Sequence, residues 1–211
     1  MAKKNEQERL WVLSEPDRAF WSEEGVVLAG MDEVGRGPLA GPVVVGCVVM
    51  PPEPLLEYVN DSKKVTEKRR EMLYDRIMET CIEAQTAWIW PEEIDRINIL
   101  EATKKAFAQA FAKMKTPITD VMIDALTGLA IPAKQHSLIH GDALCYSIAS
   151  ASIVAKVERD RYMIEQDKLY PEYGFAKNKG YGTKEHMNAV LQYGMTPIHR
   201  RSFLKNLNLH Q

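Results

Sequence analysis

Cysteine is scarce in this chain, and its placement excludes more than its number does. Cys47, Cys81 and Cys145 are the only three. They lie far apart, form no CxxC pair and each sits in an apolar run. An odd, unspaced set argues against a disulfide frame or a zinc site and for buried thiols in a reducing compartment. Long apolar runs are also lacking. The charged start, Met1 to Leu10, is followed by no stretch of signal-peptide or membrane length, so a soluble, cytoplasmic protein is expected, with no membrane partner. No repeat, low-complexity tract or linker divides the 211 residues, of which 45% are hydrophobic, and one α/β domain is the expectation. A large net charge is missing as well, the formal value being −2. Its distribution is uneven: residues 1–60 carry 5 basic and 10 acidic side chains, whereas 151–211 carry 10 and 6. A basic C-terminal third suits a polyanion held against carboxylate-bound cations, and ordinary variation of surface charge gives the same numbers.

Val26 to Met31, ending in Asp32-Glu33, and the β-branched run Val43 to Val49 read as strands. Between them Gly35-Arg36-Gly37-Pro38-Leu39-Ala40-Gly41-Pro42 is a tight loop, because its glycines permit positive φ and its prolines forbid regular pairing. From Thr66 the spacing becomes helical, with Leu73 and Ile77 on one row. Thr86 to Trp90 reads as a third strand, its Trp88 and Trp90 as core. Pro91-Glu92-Glu93 opens a helix with Ile97, Leu100, Phe107, Phe111 and Met114 on its buried face, ended by Pro117. Asp120 to Leu126 and Lys134 to Ile139 read as strands four and five. A largely buried helix follows from Ala143 to Leu169, then a loop over 170–182 and a short helix from Lys184 to Tyr193. The expected fold is a mixed five-stranded sheet with helices on both faces and a C-terminal helical extension.

Four carboxylates border core-forming segments: Asp32 and Glu33 at the end of the first strand, Asp124 in the fourth, and Asp142 before the buried helix. Such placement calls for compensation, and clustered oxygen ligands are what Mg²⁺ and Mn²⁺ accept. Two such ions roughly 4 Å apart activate water and stabilise a leaving oxygen in phosphodiester hydrolysis. Read singly, Asp142 serves equally as a helix cap and Asp124 as a partner for lysine or arginine. Adjacent strand residues point to opposite faces, so Asp32 and Glu33 reach one site only if the chain bends, or if Glu33 contributes its carbonyl. Histidines 136, 140, 186, 199 and 210 share no motif and read as surface or capping groups.

The run Gly30-Met31-Asp32-Glu33-Val34-Gly35-Arg36-Gly37-Pro38-Leu39-Ala40-Gly41-Pro42-Val43-Val44 resembles the opening signature of ribonuclease HII. Asn60-Asp61-Ser62-Lys63-Lys64, Ile123-Asp124-Ala125, Gly141-Asp142-Ala143, the block from Ala149 to Arg161, Gly180-Tyr181-Gly182-Thr183 and His199-Arg200-Arg201-Ser202-Phe203 resemble that family in its order. The likeness covers residues 25–205, leaving an N-terminal extension over 1–24 and a tail over 206–211. The related ribonuclease HIII group carries an additional N-terminal domain, for which 24 residues are too few, so HII is preferred.

This resemblance implies a ribonuclease H-like fold and places the family's four active-site acids at Asp32, Glu33, Asp124 and Asp142. It implies two Mg²⁺ or Mn²⁺ ions across the scissile phosphate and a monomer acting on RNA–DNA hybrids and ribonucleotide-containing duplex DNA. Cleavage is then expected 5′ to the ribonucleotide, leaving 5′-phosphate and 3′-hydroxyl ends. Gly35, Arg36 and Gly37 are expected at the ribose 2′-hydroxyl, the group separating RNA from DNA, and Tyr181 on the next sugar. Lys63, Lys177, Lys179, Lys184, Arg200 and Arg201 are expected to contact substrate, most of them as backbone-gripping cations. A metal-dependent phosphoesterase without 2′-hydroxyl selectivity and a non-hydrolytic hybrid-binding protein are the alternatives.

Overall fold

A computed structural model describes residues 2–205; the 206–211 tail, with His210, lies outside the described residues. In chain order the elements are α1 (Ala2–Leu13), α2 (Glu15–Trp21), β1 (Leu28–Val34), β2 (Val43–Val49), α3 (Glu67–Thr80), β3 (Glu83–Ile89), α4 (Pro91–Ile97), α5 (Ile99–Lys113), β4 (Asp120–Asp124), β5 (Lys134–Leu138), α6 (Gly141–Leu144), α7 (Tyr146–Leu169), α8 (Phe175–Asn178) and α9 (Lys184–Tyr193). The sheet runs β3-β2-β1-β4-β5, antiparallel from β3 to β1 and parallel from β1 to β5. It is the expected mixed five-stranded sheet. Among the described residues no helix is long and apolar enough to cross a membrane.

The strands alternate their side chains between two layers. Ala29, Met31, Val43, Val45 and Cys47 face α5, where Ala102, Ala106, Phe107 and Ala110 meet them. Val48 faces α3 and α7. The approach of α7 is unusually close because the strands offer glycines where it crosses. A Cβ on Gly30 would lie 2.1 Å from the Ser147 carbonyl carbon, and one on Gly46 2.5 Å from the Ala151 oxygen. The first half of α7 is accordingly buried on all sides.

Several boundaries differ from those expected, each for a local reason. The helix read through from Pro91 to Met114 is two. Asn98 takes φ 69° and its side chain accepts from the amides of Leu100 and Glu101, starting α5 afresh. The turn leaves Leu100 exposed. The fourth strand stops at Asp124, since Ala125 has φ 47°. The long helix begins only at Tyr146, after Cys145 interrupts it in an extended conformation. The 170–182 loop contains a 3₁₀ turn and α8. Trp88 and Trp90 are not core. Trp90 is exposed, and the two rings lie 5.6 Å apart, each edge-on to Tyr162.

Residues 1–24 contribute Leu10 and Leu13 to the core beside α7. The buried Asp17 accepts the Tyr146 amide at 2.9 Å and the Ser147 amide at 3.0 Å, capping α7 from a distant part of the chain. At the other end of α7 a small third core of Ala40, Met163, Tyr173, Phe175, Val190 and Ile198 holds the C-terminal helices against the 35–42 loop.

Candidate active site

The parallel pairing of β1 and β4 brings two acids together. The register ends at Met31 opposite Ile123, so Asp32 and Asp124 stand side by side one step further on. Asp142, in the first turn of α6, joins them through the Gly141 amide, which donates to Asp124 Oδ1 at 2.8 Å. Asp32 is almost fully buried and accepts the Glu33 amide at 2.8 Å. Burial, then the charges of Glu33, Asp124 and Asp142, push its carboxyl well above the usual range, with the Ser152 hydroxyl of α7 opposing them.

No bend occurs between Asp32 and Glu33. Pairing with β2 continues unbroken to Val34 opposite Val44, and the chain turns only at Gly35, φ 90°. Asp32 therefore leaves the strand on the α7 side with Gly30, and Glu33 on the other with Met31. The longer Glu33 side chain still feels Asp124: its carboxyl is raised, chiefly by burial and also by that neighbour, against the opposing Arg36. Glu33 Oε1 accepts from Arg36 at 3.2 Å, while Oε2 is buried with no partner among the described residues. Asp142 is raised by burial and by Asp61 and Asp124, and Lys63 Nζ lies 3.2 Å from it.

Asp32, Glu33 and Asp142, each raised in part by acidic neighbours, lack positive charge, and the orphaned Glu33 oxygen is an acceptor with no donor among the described residues. Both features suit a divalent cation. Among the described residues no three His, Cys, Asp or Glu side chains close around one point. The donor set is thus open, of the kind magnesium tolerates, with water and phosphate oxygens completing the shell.

The 35–42 loop stands beside these acids and is laced to the C-terminal region. Gly180 oxygen accepts from the Leu39 and Ala40 amides, and the Gly41 amide donates to Ile198. Gly37 and the exposed Tyr181 face each other: a Cβ on Gly37 would lie 3.7 Å from Tyr181 Cε1. Two arginines fix the loop from beneath. Arg159 donates to Ala40, Pro42 and Lys179 oxygens, and Arg200 to Gly35, Arg36 and Gly41 oxygens.

Of the expected gripping cations, Lys177, Lys184 and Arg201 are exposed near Tyr181 or the chain end, and Lys63 stands over Asp142. Lys179 is half-buried, tied to the Ala176 carbonyl and, at 3.4 Å, to Glu67. Arg200 has no exposed surface at all. It cannot grip a phosphate backbone, because all its reach is spent on three carbonyls. His186 and His199 are likewise interior, not surface groups. Sequence reasoning assigned no role to Ser152 or Arg159, although both lie in the family-like block from Ala149 to Arg161; only packing distinguishes them from its helical neighbours.

A family model described as Ribonuclease HII matches residues 29–206. Ribonuclease HII of Desulfitobacterium hafniense (strain DSM 10664 / DCB-2) is 50% identical over 198 residues, 94% of this chain and 76% of that protein. Ribonuclease HII of Acetivibrio thermocellus is 51% identical over 181 residues, 85% and 70% of the two chains. Among solved structures, ribonuclease H2 from Pyrococcus horikoshii OT3 superposes with a TM-score of 0.70 at 28% identity, over 83% of this chain and 92% of that one. The RNase HII of Archaeoglobus fulgidus, solved as a PCNA complex, gives 0.73 at 25% identity over 87% and 97%.

Proposed function

The chain belongs to the ribonuclease HII family of metal-dependent endoribonucleases, and on that premise we propose that it cleaves the RNA strand of RNA–DNA hybrids and nicks duplex DNA 5′ to single embedded ribonucleotides. Asp32, Glu33, Asp124 and Asp142 hold two Mg²⁺ or Mn²⁺ ions in this reading. When bound, such ions supply a water nucleophile at neutral pH and charge stabilisation of the leaving oxygen. Lys63, over Asp142, meets a phosphate oxygen and offsets charge beside the acids. Arg36 holds one Glu33 oxygen and leaves the other available to a metal ion. The Gly35-Arg36-Gly37 backbone contacts the ribose 2′-hydroxyl, and Tyr181 packs on the sugar beyond, where a 2′-hydroxyl would crowd the ring. Lys177, Lys184 and Arg201 are the exposed cations available to the backbone.

The observation that carries this reading is the juxtaposition of Gly37 with Tyr181 beside a carboxylate cluster in which burial and acidic neighbours raise Asp32, Glu33 and Asp142. An acid cluster alone fits any phosphoesterase. A bare glycine backbone facing an aromatic ring supplies the means to tell ribose from deoxyribose.

A nicking assay on three matched duplexes, all-DNA, one-ribonucleotide and full hybrid, tests it with and without divalent ion. The expected result is metal-dependent cutting of the second and third, with 5′-phosphate and 3′-hydroxyl ends. Equal rates on the all-DNA and one-ribonucleotide duplexes would replace this reading with a phosphoesterase blind to the 2′-hydroxyl. Binding without cutting, alike in wild type and Asp32→Asn, would replace it with a hybrid-binding protein.

A further inference from the structure

Arg200 is fully buried, yet among the described residues no carboxylate pairs with it. Its Nε and Nη2 donate to the Gly41 oxygen at 3.0 and 2.8 Å, Nη1 to the Arg36 oxygen at 2.8 Å, and Nη2 also to the Gly35 oxygen. Burial, and the nearby charge of Arg159, hold its guanidinium down to about 9. Keeping an unpaired cation in the interior is costly, so the carbonyl geometry it enforces is the feature to explain.

A trans peptide is planar, with its C=O and N–H pointing in opposite directions. Turning the Gly35 oxygen inward therefore turns the Arg36 N–H outward, and turning the Arg36 oxygen inward does the same for the Gly37 N–H. Both residues are exposed, and among the described residues neither amide has an acceptor. Two successive free N–H groups on one side of a chain form a small concave donor site for an oxygen. It opens beside Tyr181.

We infer that Arg200 is a positioning residue for substrate selection: by drawing the Gly35 and Arg36 carbonyls inward it presents the Arg36 and Gly37 amides to the 2′-oxygen of the ribonucleotide. This rests on the reading of the loop as the ribose contact. Arginine is required because only its planar fork reaches three carbonyls at once; lysine keeps the charge and loses the span.

The test is binding of one-ribonucleotide and all-DNA duplexes, with Ca²⁺ in place of Mg²⁺, to wild type, Arg200→Lys and Gly37→Pro. The last removes one outward N–H and leaves Arg200 untouched. Thermal unfolding accompanies each measurement, and Arg200→Gln substitutes should the lysine variant not fold. The ratio of the two affinities is expected to fall at least tenfold in both the Arg200 and Gly37 variants, with all-DNA affinity within threefold of wild type. A folded Arg200 variant that keeps the wild-type ratio within threefold overturns the inference, as does an equal loss on both duplexes. A Gly37→Pro protein that keeps the ratio overturns it irrespective of how the Arg200 variants fold. If wild type itself binds the two duplexes alike, the underlying reading fails instead, so the two failures are distinguishable.

Discussion

His186 and His199 face each other Nε2 to Nε2 at 3.0 Å in the interior of the C-terminal region. Their outer partners fix the tautomers. His199 Nδ1 accepts from the Thr196 amide at 2.9 Å, so its Nε2 carries the hydrogen and donates to His186 Nε2. His186 Nδ1 then donates to the Tyr181 carbonyl at 2.8 Å. The chain of bonds closes only when both rings are neutral.

Stability should therefore fall in acid. Burial, and then His186, hold His199 down to about 4, and burial also lowers His186. The unfolded rings bind protons near pH 6.5. Above that the contribution is fully present; below it the unfolded state gains protons that the folded state refuses, until His199 itself titrates near pH 4. The loss is on the order of 2 kcal/mol. Denaturant midpoints at pH 8, 6 and 5 check this, and His199→Gln should flatten the decline; an equally steep decline in that variant would refute the assignment.

Asp17 predicts a stabilising role for the segment before the first strand. Its carboxylate accepts two amides at the start of α7, an N-terminal cap and a favourable charge for the helix that backs Asp32. Asp17→Ala should cost about 1–3 kcal/mol, leaving two buried amides unpaired. Chemical denaturation measures it. A change under 0.5 kcal/mol would mean that water replaces the carboxylate.

Much of this organisation is legible in the sequence because it is local. Valine runs mark β2, and acids at the ends of apolar runs mark Asp32 and Asp124, since a carboxylate interrupting a core segment needs a cause. What escapes reading is set by distant partners. Arg200 sits in a His-Arg-Arg group that reads as surface, and only the return of the chain beneath the 35–42 loop makes it interior. His186 and His199 are 13 positions apart and share no motif until α9 folds back. Asn98 was readable in principle, as a capping residue before a helix, but the apolar spacing on either side hid the break.

Asp32→Asn should separate catalysis from folding. If Asp32 is a metal ligand, metal-dependent cutting falls more than ~100-fold, beyond the loss typical of an outer partner. Folding should not suffer. Asp32 is buried among Glu33, Asp124 and Asp142, so removing its charge relieves repulsion and should raise stability by about 1 kcal/mol in EDTA. Nicking rates and denaturant midpoints measured side by side decide it, and a destabilised variant would show that Asp32 is held for structure.

Two alanines, two residues apart, should fail differently. At Gly35, φ 90°, a Cβ would lie 2.3 Å from Arg159 Nε and 2.7 Å from the Pro42 oxygen, so Gly35→Ala strains the backbone and displaces a buried guanidinium. Its cost is about 1–3 kcal/mol of stability, seen as a lowered thermal midpoint. At Gly37 a Cβ meets only Tyr181, at an ordinary 3.7 Å, and stability should stay within about 0.5 kcal/mol of wild type. The methyl nevertheless occupies the surface proposed for the ribose. Gly37→Ala should then raise KM for the one-ribonucleotide duplex while its thermal midpoint stays put. Unchanged KM and kcat in that variant would remove Gly37 from the substrate surface, because no loss of fold could have masked the effect.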